Sequence, residues 1–467
     1  MQLLLIRVPN TYVPERSYII QTLLYDFLGI NSEIIIEERK DVLIKENGNL
    51  NSRGLYVADV LFQTPESQWL TQISLPKQPL PIWDAQKTCP DVLLVSSKLP
   101  IIYGEEISPN KDYIVETPEG LYLGLDIFGS AFFMLTRYEE LVKPDRDEHD
   151  RFPATASLAY QEGFLDRPII NEYIEILWYC LKRLWPGLER KRRQFRTILS
   201  HDVDQPYLYA FKPITWLLRI MAGDLLKRKD ILLALSNAKM WAFVKKGKDE
   251  YDPYNTFDFI MNISEENNII STFNFLPTKS SKFSCDYSLG DSRIRSLMKQ
   301  ISNRGHKIGY HGTYGNFEDE EQIENEINKL LLTCEGLNIQ QAIWGGRQHY
   351  LRWSPRTWEA YNKANLNYDS SVGFADHVGF RAGICYDFPT YDLRNRKTLS
   401  LREVPLVIME CSVLSKNYMG YSLEDTYMEI LKLKKRCQKF NGFFTLLWHN
   451  NELITDNCKK SYRDIFI

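Results

Sequence analysis

The sequence predicts an α/β protein of two domains: a smaller α/β unit over residues 1–190, and a larger unit over 195–467 built on a mostly parallel sheet or barrel with helices outside. Three observations predict it. The chain has 467 residues, more than one hydrophobic core normally organises. Strand-like and helix-like runs alternate through the second half, the order that yields parallel strands. Asp and His residues fall where those runs end, as in folds whose sites sit at the C-terminal ends of strands.

In the first unit, VLLVSS (92–97) reads as a strand and IINEYIEILWYCLKRLW (169–185) as a helix. Ile169, Tyr173, Ile176 and Leu181 recur near a period of 3.6, so one face of that helix is expected to be buried. The stretch ERKRRQ (189–194) reads as a linker whose charges are solvated. From Thr197 the strand TILSHDVD leads into the helix NTFDFIMNISEENN and the strand IISTFNFL. The helix SRIRSLMKQISNRG, the strand HKIGYH and the helix EEQIENEINKLLLTCEG follow, then strands near QAIWGGR and LNYDSS. An insertion at 206–250 carries nine Lys or Arg against four acids, a local charge of +5. Its helices read first as packing elements or a lid over the site, and second as a basic amphipathic element resting on a membrane surface.

Composition narrows the classes of function. With 44% hydrophobic and 25% charged residues the chain is that of a folded soluble protein. Fifty-seven Lys and Arg against 60 Asp and Glu give a formal charge of -3, so no global field draws nucleic acid, and no nucleic-acid partner is expected. MQLLLIRVPN is broken by Arg7, and no stretch nears the ~20 apolar residues that span a bilayer. The eight cysteines contain no CxxC pair, the pattern of free thiols in a reducing compartment. A cytoplasmic location is the expectation.

The chemistry gathers at four strand ends. In His201-Asp202-Val203-Asp204, residues two apart share a face of the strand, so Asp202 and Asp204 lie together. Two carboxylates that close repel unless a cation or a proton sits between them, and a divalent metal is the simplest resolution. An Asp-rich loop capping the next helix is the plainer alternative. His311 in KIGYHGTYGNF supplies an imidazole, a suitable ligand for zinc and its neighbours. Arg347 and His349 follow in GGRQHYL, and His449 ends the apolar run GFFTLLWHN.

These motifs resemble the polysaccharide deacetylase family, the NodB-homology domains of carbohydrate esterase family 4, over about residues 195–460. The Asp pair, GHKIGYH, the arginine-containing segment and the leucine-rich strand ending in His449 carry the resemblance. SHDVDQP, RQHYLRWSP, YDSSVGFADHVGFRAG and LLWHN look more narrowly like a bacterial subgroup associated with surface-polysaccharide clusters. That subgroup has an extra N-terminal domain, matched here by GLDIFGSAFFMLTRYEEL (124–141) and DRFPATASLAYQEGFLDRPIINEY (150–173). The resemblance implies a distorted (β/α) barrel and a metal-dependent hydrolase of the amide of an N-acetylated sugar, in a polysaccharide or its precursor. An O-deacetylase is a nearby alternative.

Carried over residue by residue, the family mechanism makes Asp202 the general base, Asp204 and His311 metal ligands, His449 the acid for the leaving amine, and Arg347 the group orienting Asp202. Zinc is the expected divalent ion. The family's second motif has a further histidine where this chain has Gly315. Two replacements are open: His349 as third ligand, or Tyr314 with water. If neither serves, a sugar-binding or scaffold protein is the other reading. Asp369 in NYDSS is the choice for a carboxylate supporting the catalytic arginine or histidine, with Asp376 beside His377 as rival. His306 reads as structural, and Arg381 as either a substrate contact or the partner of a carboxylate.

Overall fold

Alternation of apolar and outward-facing residues begins at once: Leu4, Ile6 and Val8 are buried in strand β1 (Leu3–Val8) while Leu3, Leu5 and Arg7 are half-exposed. The computed structural model describes residues 3–48, 53–107, 112–279, 283 and 285–466. β1 belongs to a six-stranded sheet with β2 (Asn31–Ile36), β3 (Val42–Glu46), β4 (Gly54–Val57), β7 (Ile114–Thr117) and β8 (Gly120–Leu123), in the order β2-β1-β3-β4-β8-β7. A separate ribbon pairs β5 (Ile82–Asp84) with β6 (Lys98–Pro100).

The second sheet has nine strands: β9 (Arg196–Val203), β10 (Thr272–Phe275), β11 (Lys307–Gly312), β12 (Gly345–Gln348), β13 (Tyr368–Asp369), β14 (Phe388–Asp392), β15 (Lys397–Glu403), β16 (Ile408–Met409) and β17 (Phe443–Leu447). Their order is β14-β15-β13-β12-β11-β10-β9-β17-β16, and every pairing is parallel except β14 with β15. The order runs from β14 to β16 without closing, so the expected barrel is a curled half-barrel. Helices Phe257–Glu266, Ser292–Asn303, Glu320–Gly336 and Leu423–Lys439 connect its strands, as parallel crossovers require.

The helix at 169–184 forms as its periodicity predicts, with Ile169, Tyr173, Ile176 and Leu181 buried. VLLVSS does not form a strand. Val92 and Leu94 are buried as alternation requires, but the Val95 amide donates to the Glu172 carboxylate at 2.7 Å, a side chain standing in for a neighbouring strand. Residues 189–194 are irregular and mostly exposed. They are nevertheless moored: the Lys191 amide donates to the Leu28 carbonyl at 2.7 Å, and the Arg193 guanidinium lies 4.0 Å from the Tyr386 ring centre.

One continuous apolar core joins both sheets. At its seam lies a buried ionic knot. Glu140 accepts from Arg381 through both oxygens, at 2.9 and 2.6 Å, and from Arg137 Nε at 2.8 Å, and Arg137 also donates to the Arg381 carbonyl. Arg381 is therefore the partner of a carboxylate and not a substrate contact. Removing Glu140 would leave the Arg381 guanidinium without a carboxylate in a dry environment, while Arg137 would keep Glu139 at 3.0 Å. Glu140→Ala should therefore cost about 3–5 kcal/mol of folding stability, read by chemical denaturation; a loss below about 1 kcal/mol would mean that water reaches the knot.

Candidate active site

A parallel sheet brings all its strand C-termini to one edge, and there β9, β11, β12 and β17 deliver Asp202, Asp204, His311, His349 and His449 to one cleft of about 250 Å³, with Arg347 buried behind Asp202. In a flat sheet β9 and β12 would stand about 14 Å apart, three strand spacings. Here His349 Nε2 lies 3.3 Å from Asp204 Oδ2, and His449 Nε2, from the strand on the other side of β9, lies 3.6 Å from the same oxygen. The curl of the sheet makes the site.

Asp202 is 2% exposed. Its Oδ1 accepts from Arg347 Nη1 at 3.0 Å and from Asn274 Nδ2 at 2.7 Å, which leaves Oδ2 to the cleft. Burial opposes its charge, but His311 and Arg347 outweigh burial and hold the carboxyl below the usual carboxylate range. Arg347 is fixed in turn: Nε donates to the Ser370 carbonyl, Nη2 to Ser370 Oγ, and Nη1 also to Ser200 Oγ. Asn274, invisible as a functional residue in the sequence, is the in-register neighbour of Asp202 on β10. Gly309 on β11 makes room for it, since a Cβ there would fall 2.0 Å from Asn274 Oδ1.

Asp204, His311 and His349 offer ligand atoms that all lie within 4.8 Å of one another. His311 Nε2 stands 3.2 Å from Asp204 Oδ1. His311 Nδ1 faces the Arg347 carbonyl at 2.9 Å. If Nδ1 donates there, Nε2 turns a lone pair toward the carboxylate, an arrangement that is repulsive without a cation or proton between them. Both Asp204 Oδ1 and His311 Nε2 are buried without a hydrogen-bond partner. Burial opposes charge on both groups, yet Asp204 is held well below the carboxylate range, by His349 and then His311, and His311 is raised by Asp202 and Asp204. The pocket draws positive charge. Two imidazoles and one carboxylate make a donor set of the kind that holds a catalytic zinc ion, so the residues fit a divalent metal.

Gly315 has nothing within 4 Å of where a Cβ would sit. Tyr314 turns away from the cluster, with its hydroxyl 3.0 Å from His149 Nδ1. Of the two replacements left open by the sequence, the one adjoining Asp204 is His349. On the other side of the cleft His449 Nδ1 lies 2.5 Å from Glu410 Oε1, and Glu410 also accepts from the His449 amide. Burial lowers the affinity of that ring for protons, but Glu410 and Cys411 outweigh it and raise it well above the usual imidazole range. His201 points to the opposite face of β9, buried against Phe273, where desolvation pushes it down to about 3.

The placement of Asp369 corrects an expectation. It does not brace the arginine or the histidine: Ser370 holds Arg347 and Glu410 holds His449. Asp369 accepts from Ser371 and is paired with the buried Glu403. Its rival Asp376 caps the Ala154 amide beside His377, outside the cleft. His306 accepts from the Ser271 amide and is structural. Arg151, which the sequence did not single out, reaches the cleft from the N-terminal region, donating to the Tyr350 carbonyl at 2.9 Å and to Tyr418 Oη at 3.1 Å.

Residues 4–186 match a family of unknown function (DUF7033). No curated protein matches the chain. Among solved structures, a protein named as a polysaccharide deacetylase from Mycobacterium smegmatis is 14% identical, covering 59% of this chain and 83% of its own, with a TM-score of 0.37. Another so named from Pseudomonas aeruginosa PAO1 is 11% identical over 66% of this chain and 90% of its own, with a TM-score of 0.36. An allantoinase is 10% identical over 60% and 84%, with a TM-score of 0.37. The functional reading is carried by the residues of the cleft.

Burial raises Asp369 to about 6. Because this folded value lies above the unfolded one of about 3.9, its contribution to stability is present at about pH 4 and is lost as the pH rises through about 6. Asp369→Asn should remove that component, so that melting temperature differs less between about pH 4 and about pH 7 than in the parent. Unchanged pH dependence would show that Glu403 holds the shared proton.

Proposed function

We propose that this chain is a metal-dependent hydrolase of the acyl amide of an N-acetylated sugar, within a surface polysaccharide or its precursor. The observation that carries the reading is the meeting, at one strand-end cleft, of a metal-fitting trio, a carboxylate with one oxygen left open, and a carboxylate-backed imidazole. The sugar substrate rests on the motif resemblance. What supports this over a scaffold role is His349 Nε2 at 3.3 Å from Asp204 Oδ2, within reach as a third ligand.

Asp204, His311 and His349 would hold the ion. A divalent ion there supplies Lewis acidity at the scissile carbonyl and makes a water acidic near neutral pH. The work of the chain's own groups follows from their bonds. Asp202 takes the proton of the attacking water on Oδ2, because Oδ1 is occupied by Arg347 and Asn274. The water oxygen bonds to the carbonyl carbon, the carbon–nitrogen bond breaks, and His449 Nε2 gives a proton to the departing nitrogen. Glu410 keeps that imidazole protonated and aimed. The products are a carboxylate and a free amine. Leu351 and Met409 line the cleft with apolar surface, which strengthens these charge interactions.

Asp204→Ala and His311→Ala should each abolish tight zinc binding, measured as metal retained after loading and dialysis, because a trio cannot spare one member. His349→Ala should lower affinity at least about tenfold; unchanged affinity would move His349 from the metal to the substrate. Asp202→Asn should retain metal and lose about 10²–10⁴ in turnover, followed as acetate released from N-acetylated hexosamine oligosaccharides. Parental turnover in Asp202→Asn would remove the general-base assignment, and no acetate release by the zinc-loaded parent from any such substrate would remove the sugar.

A further inference from the structure

The insertion at 206–250 folds as a helical hairpin, Ile214–Gly223 and Ile231–Lys245, joined by a wider helical turn at Asp224–Arg228. It is prebuilt. Asp224 is buried, receives Arg228, and accepts from Asn237 Nδ2 at 2.7 Å, while Tyr209 Oη donates to Asn237 Oδ1 at 2.7 Å. Lys245 ties the far end to the Ala210 carbonyl at 2.8 Å.

The hairpin buries only part of its apolar surface: Trp216, Met240 and Trp241 pack against the core, and the residues toward the tip stay exposed. Helix Ile231–Lys245 is apolar on all sides, yet only Ala234 and Val244 are buried, and Leu217 alone is buried in Ile214–Gly223. A helix apolar all round belongs inside a core or against lipid. Of 21 exposed large apolar side chains among the described residues, eight fall within residues 214–235. Six crowd the tip: Leu225, Leu226, Ile231, Leu232, Leu233 and Leu235, with Leu226 78% and Leu232 80% exposed. Such a concentration marks an interaction surface.

We infer that the hairpin tip docks on an anionic lipid bilayer, its leucines entering the headgroup boundary and its lysines pairing with lipid phosphates. Two features favour lipid over a protein partner. The tip is purely aliphatic, and exposed Lys227, Arg228 and Lys229 stand among the leucines. Protein interfaces instead favour aromatic residues and Met and are poor in Lys. Basic residues interleaved with aliphatic ones suit the boundary of an anionic bilayer. The charge of +5 across 206–250 opposes the overall -3, so the insertion is drawn to an anionic surface although the chain as a whole is not. No helix among the described residues is long and apolar enough to cross a membrane. The base of the hairpin packs on the core, and the exposed tip is what favours the second of the two sequence readings, a basic element on a membrane surface, over packing or a lid.

Flotation of the full chain with phosphatidylcholine vesicles, with and without phosphatidylglycerol, tests this and reads binding alone, so it stands or falls apart from amide hydrolysis. The parent should bind the anionic vesicles, and added salt should weaken it. Lys227→Gln with Lys229→Gln should lose about fivefold per charge, and Leu226→Gln with Leu232→Gln more than about tenfold, both with unchanged circular dichroism and zinc content. No uptake by anionic vesicles overturns the proposal, as does equal uptake by the leucine variant. A concentration-dependent dimer abolished by the leucine substitutions, without vesicle uptake, assigns the face to a second copy of the chain and overturns it too.

Discussion

Two carboxylates at the end of one buried strand cannot both keep their charge without help, and most of what surrounds Asp202 and Asp204 answers that constraint. Arg347 crosses from β12 to neutralise the first, and His311 and His349 converge on the second. Both solutions need β12 drawn toward β9, so the electrostatic demand and the curl of the sheet are one requirement met by the same residues. The fixtures behind them, Ser200, Ser370 and Asn274, are short polar side chains that spend their hydrogen bonds on holding Arg347 and Asp202 still. Such a site is preorganised, with little left to rearrange when charge develops.

The parts of this arrangement that a sequence can show are those with local pattern. Apolar runs point to β9 and β17, alternation puts Asp202 and Asp204 on one face, period 3.6 predicts the helix at 169–184, and the ends of strand-like runs hold Asp202, Asp204, His311, Arg347, His349 and His449. What stayed hidden depends on which strands are neighbours. Asn274 sits in an unremarkable TFNF and matters because β10 lies in register beside β9. Glu410 follows the short strand β16, which pairs with β17 and so sets the carboxylate behind His449. Asp369 misled for the converse reason. Its motif looked catalytic, but the register of β13 with β15 faces it with Glu403, and burial drives the two carboxyl groups to pair with each other. VLLVSS shows the same limit at the level of one segment: the pattern was that of a strand, and a single Glu172 carboxylate replaced the ladder.

The N-terminal region is similarly opaque to pattern but not to contact. Segments 124–141 and 150–173 reach across, with Glu140 in the ionic knot with Arg381, Asn171 at the Cys385 amide and Arg151 at the rim of the cleft, and Tyr18 and Glu15 cross as well, to the Pro389 carbonyl and to Arg396. They are held from both sides, by the six-stranded sheet they pack against and by the half-barrel they touch.

The presence of Arg151 at the cleft has a consequence for how such a protein can change over time. A pocket walled by a single continuous fold can alter its specificity through its own loops, whereas this one borrows part of its rim from a region some two hundred residues earlier in the chain. Recombination that exchanged only the half-barrel would have to deliver a new partner for Glu140 and a new neighbour for Arg151 in the same event. A half-barrel carried alone into another protein would lose both the carboxylate that neutralises Arg381 and the guanidinium at its rim.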